Sequence, residues 1–105
     1  MKALEGKTAF ITGGSTGIGL GMARVFARAG MNVVITDIRD EALTSAQQIL
    51  AEITDNVLAL NVDSTDLAAL ERAADEIERT FGALHVLCNN AGVPGGAKVL
   101  ETPEE

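Results

Sequence analysis

Tyrosine is absent from all 105 residues, and cysteine, histidine and proline are nearly as scarce, with one, one and two copies. Without tyrosine the chain holds no phenol to give or take a proton. The single cysteine, Cys88, has no partner for an internal disulfide, and beside Val86 and Leu87 it reads as part of a buried strand in a reducing compartment. It has no base next to it and no nucleophile motif around it. One histidine and one cysteine three residues apart, His85 and Cys88, do not make a metal site. Basic residues are also few: eight Lys and Arg against fifteen Asp and Glu give a formal net charge of −7, which repels phosphate backbones at long range and argues against a nucleic-acid partner. No run of eighteen apolar residues occurs, and the opening Met-Lys-Ala-Leu-Glu-Gly-Lys has no hydrophobic leader core. The expectation is a cytoplasmic protein with no membrane attachment.

With 47% hydrophobic and 22% charged residues the composition is that of ordinary globular material, enough for one domain at most. Strand and helix signals alternate along it, which points to an α/β fold, a parallel sheet flanked by helices. Short, nearly continuous apolar runs mark strands at Thr8 to Thr12, Asn32 to Asp37, Val57 to Asn61 and Leu84 to Asn89, as expected where both faces are covered. Three apolar stripes at helical spacing lie between them. The first is Ile18, Met22, Val25, Phe26 and Ala29, stopped by Gly30; the second is Leu43, Ala46, Ile49, Leu50 and Ile53; the third is Leu67, Leu70, Ala74, Ile77 and Phe81, stopped by Gly82. Right-handed crossovers then give the strand order 3-2-1-4, with strand four at the edge and a topological switch point between strands one and four. Gly92 to Gly96 reads as a loop. Thr102-Pro103-Glu104-Glu105 reads as the start of a helix, so the sheet is expected to be incomplete at the C-terminal end and the natural polypeptide to continue.

The most informative segment is Thr12 to Gly19, Thr-Gly-Gly-Ser-Thr-Gly-Ile-Gly, placed between the first strand and the first helix. Its glycines allow a sharp turn and a close backbone approach to a diphosphate, and the N–H groups of the helix's first turn face the negative charge. Asp37, twenty residues beyond Gly17 at the end of the second strand, is placed to accept hydrogen bonds from ribose hydroxyls. Asn89-Asn90-Ala91-Gly92 ends the fourth strand at the same crevice. Together these predict a dinucleotide-binding site.

These motifs resemble the short-chain dehydrogenase/reductase family, in which Thr-Gly-x-x-x-Gly-x-Gly binds the pyrophosphate and Asn-Asn-Ala-Gly closes the fourth strand, and the resemblance covers the whole chain. It implies that residues 1–105 are the N-terminal part of a Rossmann-type dinucleotide-binding domain. Gly13 would make the turn, Ser15 and Thr16 would line it, Gly17 and Ile18 would present backbone to the diphosphate, and Gly19 would let helix and strand pack closely. Asn90, Ala91 and Gly92 would border the ribose, and Asn89 would tie neighbouring strands. Asp63 resembles the family's adenine-binding side chain, although Ser64 stands where the family more often has valine. A two-residue shift would put Asn61 and Val62 in that role, and Asp63 can also be read as opening the cap of the next helix. Asp37, with Ile38 after it, implies NAD in preference to NADP, because a carboxylate there repels a 2′-phosphate and Thr16 is not basic. Arg39 either reaches such a phosphate or lies solvated at the start of the second helix. His85 reads as structural.

The family's proton transfer runs through Tyr-x-x-x-Lys with a serine and an asparagine. No catalytic residue of that set is present here, where the lysines are Lys2, Lys7 and Lys98. The resemblance implies an oxidoreductase moving hydride between a nicotinamide cofactor and a small alcohol or ketone, in a full-length parent that associates with itself. The alternative is a non-catalytic dinucleotide-binding or interaction module complete at this length.

Overall fold

A computed structural model describes residues 4–90 and the backbone of residues 98–101. Its elements run β1 (Thr8–Thr12), α1 (Gly17–Arg28), β2 (Asn32–Asp37), α2 (Asp40–Ala51), β3 (Val57–Asn61), α3 (Leu67–Phe81), β4 (Val86–Asn89) and β5 (Lys98–Glu101). The sheet order is β3-β2-β1-β4-β5. The first four strands are parallel, in register Thr12 beside Thr36 and Asn89 and Asp37 beside Asn61, so the order 3-2-1-4 of a Rossmann-type α/β fold is as the sequence predicts.

One expectation is corrected. Strand four is not an edge, because β5 lies antiparallel on its outer side with Val86 beside Glu101 and Asn89 beside Lys98. The outer strands are β3 and β5. Backbone pairing of this kind depends on where a loop returns the chain, and no side-chain pattern in Lys98 to Glu101 announces it. The helix start read at Thr102 to Glu105 and the loop at Gly92 to Gly96 lie outside the described residues.

Alternation along the strands sends side chains to two layers. Ala9, Ile11, Val33 and Ile35 face α1 and α2, where Ala23, Ala27, Leu43, Ala46 and Leu50 meet them. Phe10 and Val34 face the other way, toward Ala73 and Ile77 of α3. Among the described residues the second layer is the thinner one: four there are buried, and seven more, among them Leu58, Leu60 and Leu87, are half-buried.

Helix faces differ from the predicted stripes at their margins. Ile18 and Val25 on α1 and Leu67 on α3 are 59%, 60% and 69% exposed. Small residues make the contact instead, since Gly19, Ala23 and Ala27 form the buried row of α1, which lets that helix lie close on the sheet. The C-terminal stops at Gly30 and Gly82 both have positive φ, 85° and 91°, as such helix ends require.

His85 precedes β4 and serves as an anchor. Its Nδ1 accepts a hydrogen bond from the Thr8 N–H at 3.0 Å and its own N–H donates to the Thr8 carbonyl at 3.0 Å. The structural reading of this residue therefore has a geometry. Cys88 is fully buried on β4, and burial pushes its thiol pKa up.

Candidate dinucleotide site

At the C-terminal ends of β1 and β4, a short set of hydrogen bonds is centred on Thr12. Its hydroxyl donates to Asn89 Oδ1 at 3.0 Å and accepts the Asn90 N–H at 3.1 Å. Asn90 Nδ2 donates to the Gly13 carbonyl at 3.1 Å, and the Gly14 N–H donates to the Thr36 carbonyl at 3.1 Å. The glycine-rich turn is thus tied to both neighbouring strands. Gly13 turns it with φ 64°.

Gly19 is required by contact. A Cβ there would overlap the Gly13 carbonyl oxygen and come within 2.9 Å of Asn90 Nδ2, so the close packing predicted for this glycine is against the turn and the Asn90 side chain. Gly17 is required by conformation, with φ 57° and open space where a Cβ would stand. The three helices begin differently. α3 has Asp66 accepting from the Ala69 N–H at 3.2 Å, and α2 has Asp40 and Glu41 in its first turn. α1 has no acidic residue in its first turn and no side-chain cap among the described residues, which is the character of an anion-binding helix start.

A cavity of about 390 Å³ lies in front of these ends, lined by Gly13, Thr16, Asp37, Ile38, Arg39, Val62, Asp63, Ser64, Thr65 and Asn90. Seven residues singled out from sequence therefore share one space: Gly13, Thr16, Asp37, Ile38, Asp63, Ser64 and Asn90. Ser15 lies beneath it, buried, with its hydroxyl donating to Asp37 Oδ2. Gly17, Ile18 and Gly19 open α1 behind the turn and do not line the cavity. Ala91 and Gly92 lie outside the described residues.

Asp37 is 8% exposed. Arg39 grips it from the side: Nε donates to Oδ1 at 3.0 Å, Nη2 to Oδ2 at 2.9 Å, and the Arg39 backbone N–H to Oδ1 at 3.1 Å. The guanidinium's hydrogen bonds outweigh burial, and with Ser15 they hold the Asp37 carboxyl well below the usual carboxylate range. Arg39 Nη2 also reaches Thr16 Oγ1 at 3.2 Å. Neither sequence reading of Arg39 included this clamp: it is more than half exposed yet paired, and a carboxylate two residues away was the available signal.

At the far wall Asp63 Oδ1 accepts from the Thr65 N–H at 2.9 Å and the Thr65 hydroxyl at 2.6 Å, which lowers its pKa. The side-chain cap of α3 is Asp66, and Asp63 opens the turn leading into it, its carbonyl accepting the Asp66 N–H at 3.0 Å. Asn61, the first residue of the shifted assignment, does not line the cavity; its Nδ2 donates to the Ile38 carbonyl at 3.2 Å and to Asp40 Oδ1 at 2.5 Å. Val62, the second residue of the shifted assignment, lines the wall, and so does Thr65, which the motif reading did not include in the site.

A glycine turn, the N-cap residue Thr16 of a helix with no side-chain cap, and a buried carboxylate around one cavity suit a diphosphate joined to a ribose. The short chain dehydrogenase family model matches residues 7–105, and the chain belongs to that family. It is 42% identical to Oxidoreductase UcpA of Salmonella typhimurium over 105 residues, all of this chain and 40% of that protein. With the C alpha-dehydrogenase of Sphingobium sp. it shares 43% over 103 residues, 97% of this chain and 34% of that one. Among solved structures, LigO in its apo form from Sphingobium sp. superposes with a TM-score of 0.82 at 47% identity, covering 89% of this chain and 35% of that one. A short chain dehydrogenase from Bacillus anthracis gives 0.79 at 34% identity, with 84% and 35% covered. The chain spans 40% or less of the length of these relatives.

Proposed function

We propose that residues 1–105 are the NAD-binding portion of an alcohol or ketone oxidoreductase. Asp37 carries this reading: it is an ionised carboxylate at a strand end, facing the cavity that Gly13 and Asn90 also line. The α1 N-terminus and the Gly13 turn hold the diphosphate, Asp37 accepts the adenosine ribose hydroxyls, and Asp63 with Ser64 borders the base. The bound nicotinamide supplies or accepts hydride, and this segment fixes where it sits. Proton transfer belongs to residues other than these, since the sequence has no tyrosine. The names of the relatives, an oxidoreductase and a dehydrogenase, support the reaction class. NAD in preference to NADP follows from charge, because a 2′-phosphate would stand against the Asp37 carboxylate.

The test is calorimetric titration of the natural full-length polypeptide with NAD and NADP. NAD should bind more tightly, and Asp37→Ala combined with Ile38→Arg should weaken NAD about tenfold or more, the size expected for hydrogen bonds to a charged group, while moving preference toward NADP. Equal affinity for both cofactors in the unmodified protein, or an unaltered preference in the double variant, would sink the reading.

A further inference from the structure

We propose that the Arg39 guanidinium occupies the place of the adenosine ribose diol on Asp37, and that exchange of one for the other sets how tightly NAD and NADP bind. The inference rests on the reading of this cavity as a dinucleotide site. Its ground is a count of acceptor positions. An ionised carboxylate offers about four lone-pair sites, and all four on Asp37 are taken within the chain. Oδ1 receives the Arg39 backbone N–H and Nε, and Oδ2 receives Nη2 and the Ser15 hydroxyl. A ribose that donates to Asp37 must displace two of these donors.

The four are unequal. Ser15 is 3% exposed, and the Arg39 N–H is fixed by the backbone where α2 begins. The guanidinium is the movable pair, on a flexible stem, with its side chain 58% exposed. It contributes one hydrogen bond to each oxygen, and a vicinal 2′,3′-diol likewise has two O–H donors on adjacent carbons. Partly exposed ion pairs are weak enough for such an exchange. Nη2 also bonds Thr16 Oγ1, so the same group bridges the two walls of the cavity that a nucleotide would enter between. A 2′-phosphate has the opposite requirement. It donates nothing to Asp37, and it is attracted to the guanidinium where that group now lies.

Removing the guanidinium should therefore shift the two cofactors in opposite directions. In the full-length polypeptide, Arg39→Met keeps the aliphatic stem and should bind NAD about two- to fivefold more tightly and NADP more weakly by a similar factor, the range of a partly exposed ion pair. Arg39→Lys keeps the charge without the two-pronged grip. It should tighten NAD while leaving NADP near its original affinity. Melting temperature and far-ultraviolet circular dichroism check that both variants fold. If Arg39→Met weakens NAD and NADP alike, the residue attracts the diphosphate and the exchange is wrong; if it changes neither, the exchange is also wrong. Absence of binding by either cofactor to the unmodified protein would remove the dinucleotide reading itself, and the exchange with it.

Discussion

Two glycines eight residues or fewer from β1 are constrained for different reasons, and substitution should separate them. Gly19→Ala introduces a methyl group into the Gly13 carbonyl and beside Asn90 Nδ2, so the turn must shift and the Asn90 bond to Gly13 must stretch. A loss of about 1–3 kcal/mol is expected from such overpacking, read as a lower melting temperature. At Gly17 there is space but φ is 57°, where an L side chain costs about 1–2 kcal/mol. Gly17→Val should pay that strain and in addition block the approach of a diphosphate to the start of α1. Calorimetry beside thermal melting should show cofactor affinity falling by more than the stability does; unchanged affinity with a sharply lower melting temperature would assign Gly17 to conformation alone. Both glycines are recognisable as a motif, and the contact that forbids a Cβ at Gly19 is with the Gly13 carbonyl oxygen, six positions back in the same motif. The second contact, with Asn90 Nδ2, comes from 71 positions along the chain, and local sequence carries no sign of it.

At the scale of elements, the three helices show how capping and burial divide the work. α3 is capped by Asp66, and Asp66→Ala should cost about 0.5–2 kcal/mol, as loss of an N-cap side chain generally does. The check is denaturant unfolding with an unchanged m-value, and no loss of stability would mean that the Ala69 N–H finds another acceptor at no cost. Because α3 buries Ala73 and Ile77 against Phe10 and Val34, weakening it loosens one whole face of the sheet. Apolar spacing located all three helices but placed Ile18, Val25 and Leu67 on buried faces they do not occupy. Which side of a stripe lies deepest depends on how near the helix can approach. In α1 that is decided by Gly19, Ala23 and Ala27, residues that hydrophobicity alone ranks low.

For the molecule as a whole, the division of labour predicts a specific loss. The isolated 105-residue chain should show no NAD-dependent turnover of any alcohol or ketone, because no tyrosine is present and no described residue of the cavity replaces it as a proton donor at neutral pH. Steady-state assays following reduced cofactor by absorbance test this. Turnover by the purified chain would overturn the assignment of these residues to cofactor binding and favour a self-sufficient enzyme. The thin second layer, with Leu58, Leu60 and Leu87 half-buried, marks the face least protected when the chain stands alone.

The sequence by itself determined the elements and their order. Strands covered on both faces need unbroken apolar runs, crossovers between parallel strands have one hand, and a turn at positive φ needs glycine, so each of these leaves a local mark. The convergence of Gly13, Asp37 and Asn90 on one crevice follows from that order and was legible for the same reason. Three things were decided only by tertiary structure. β5 pairs with β4 through backbone groups every residue possesses. Asn61, at the end of β3, is committed to Asp40, at the start of α2, through a contact that depends on where that strand stops. And the ion pair of Arg39 with Asp37 exists because the chain turns from β2 into α2 at an angle that swings the guanidinium back over the carboxylate; residue types two apart permit that geometry, but only the packed strand and helix impose it.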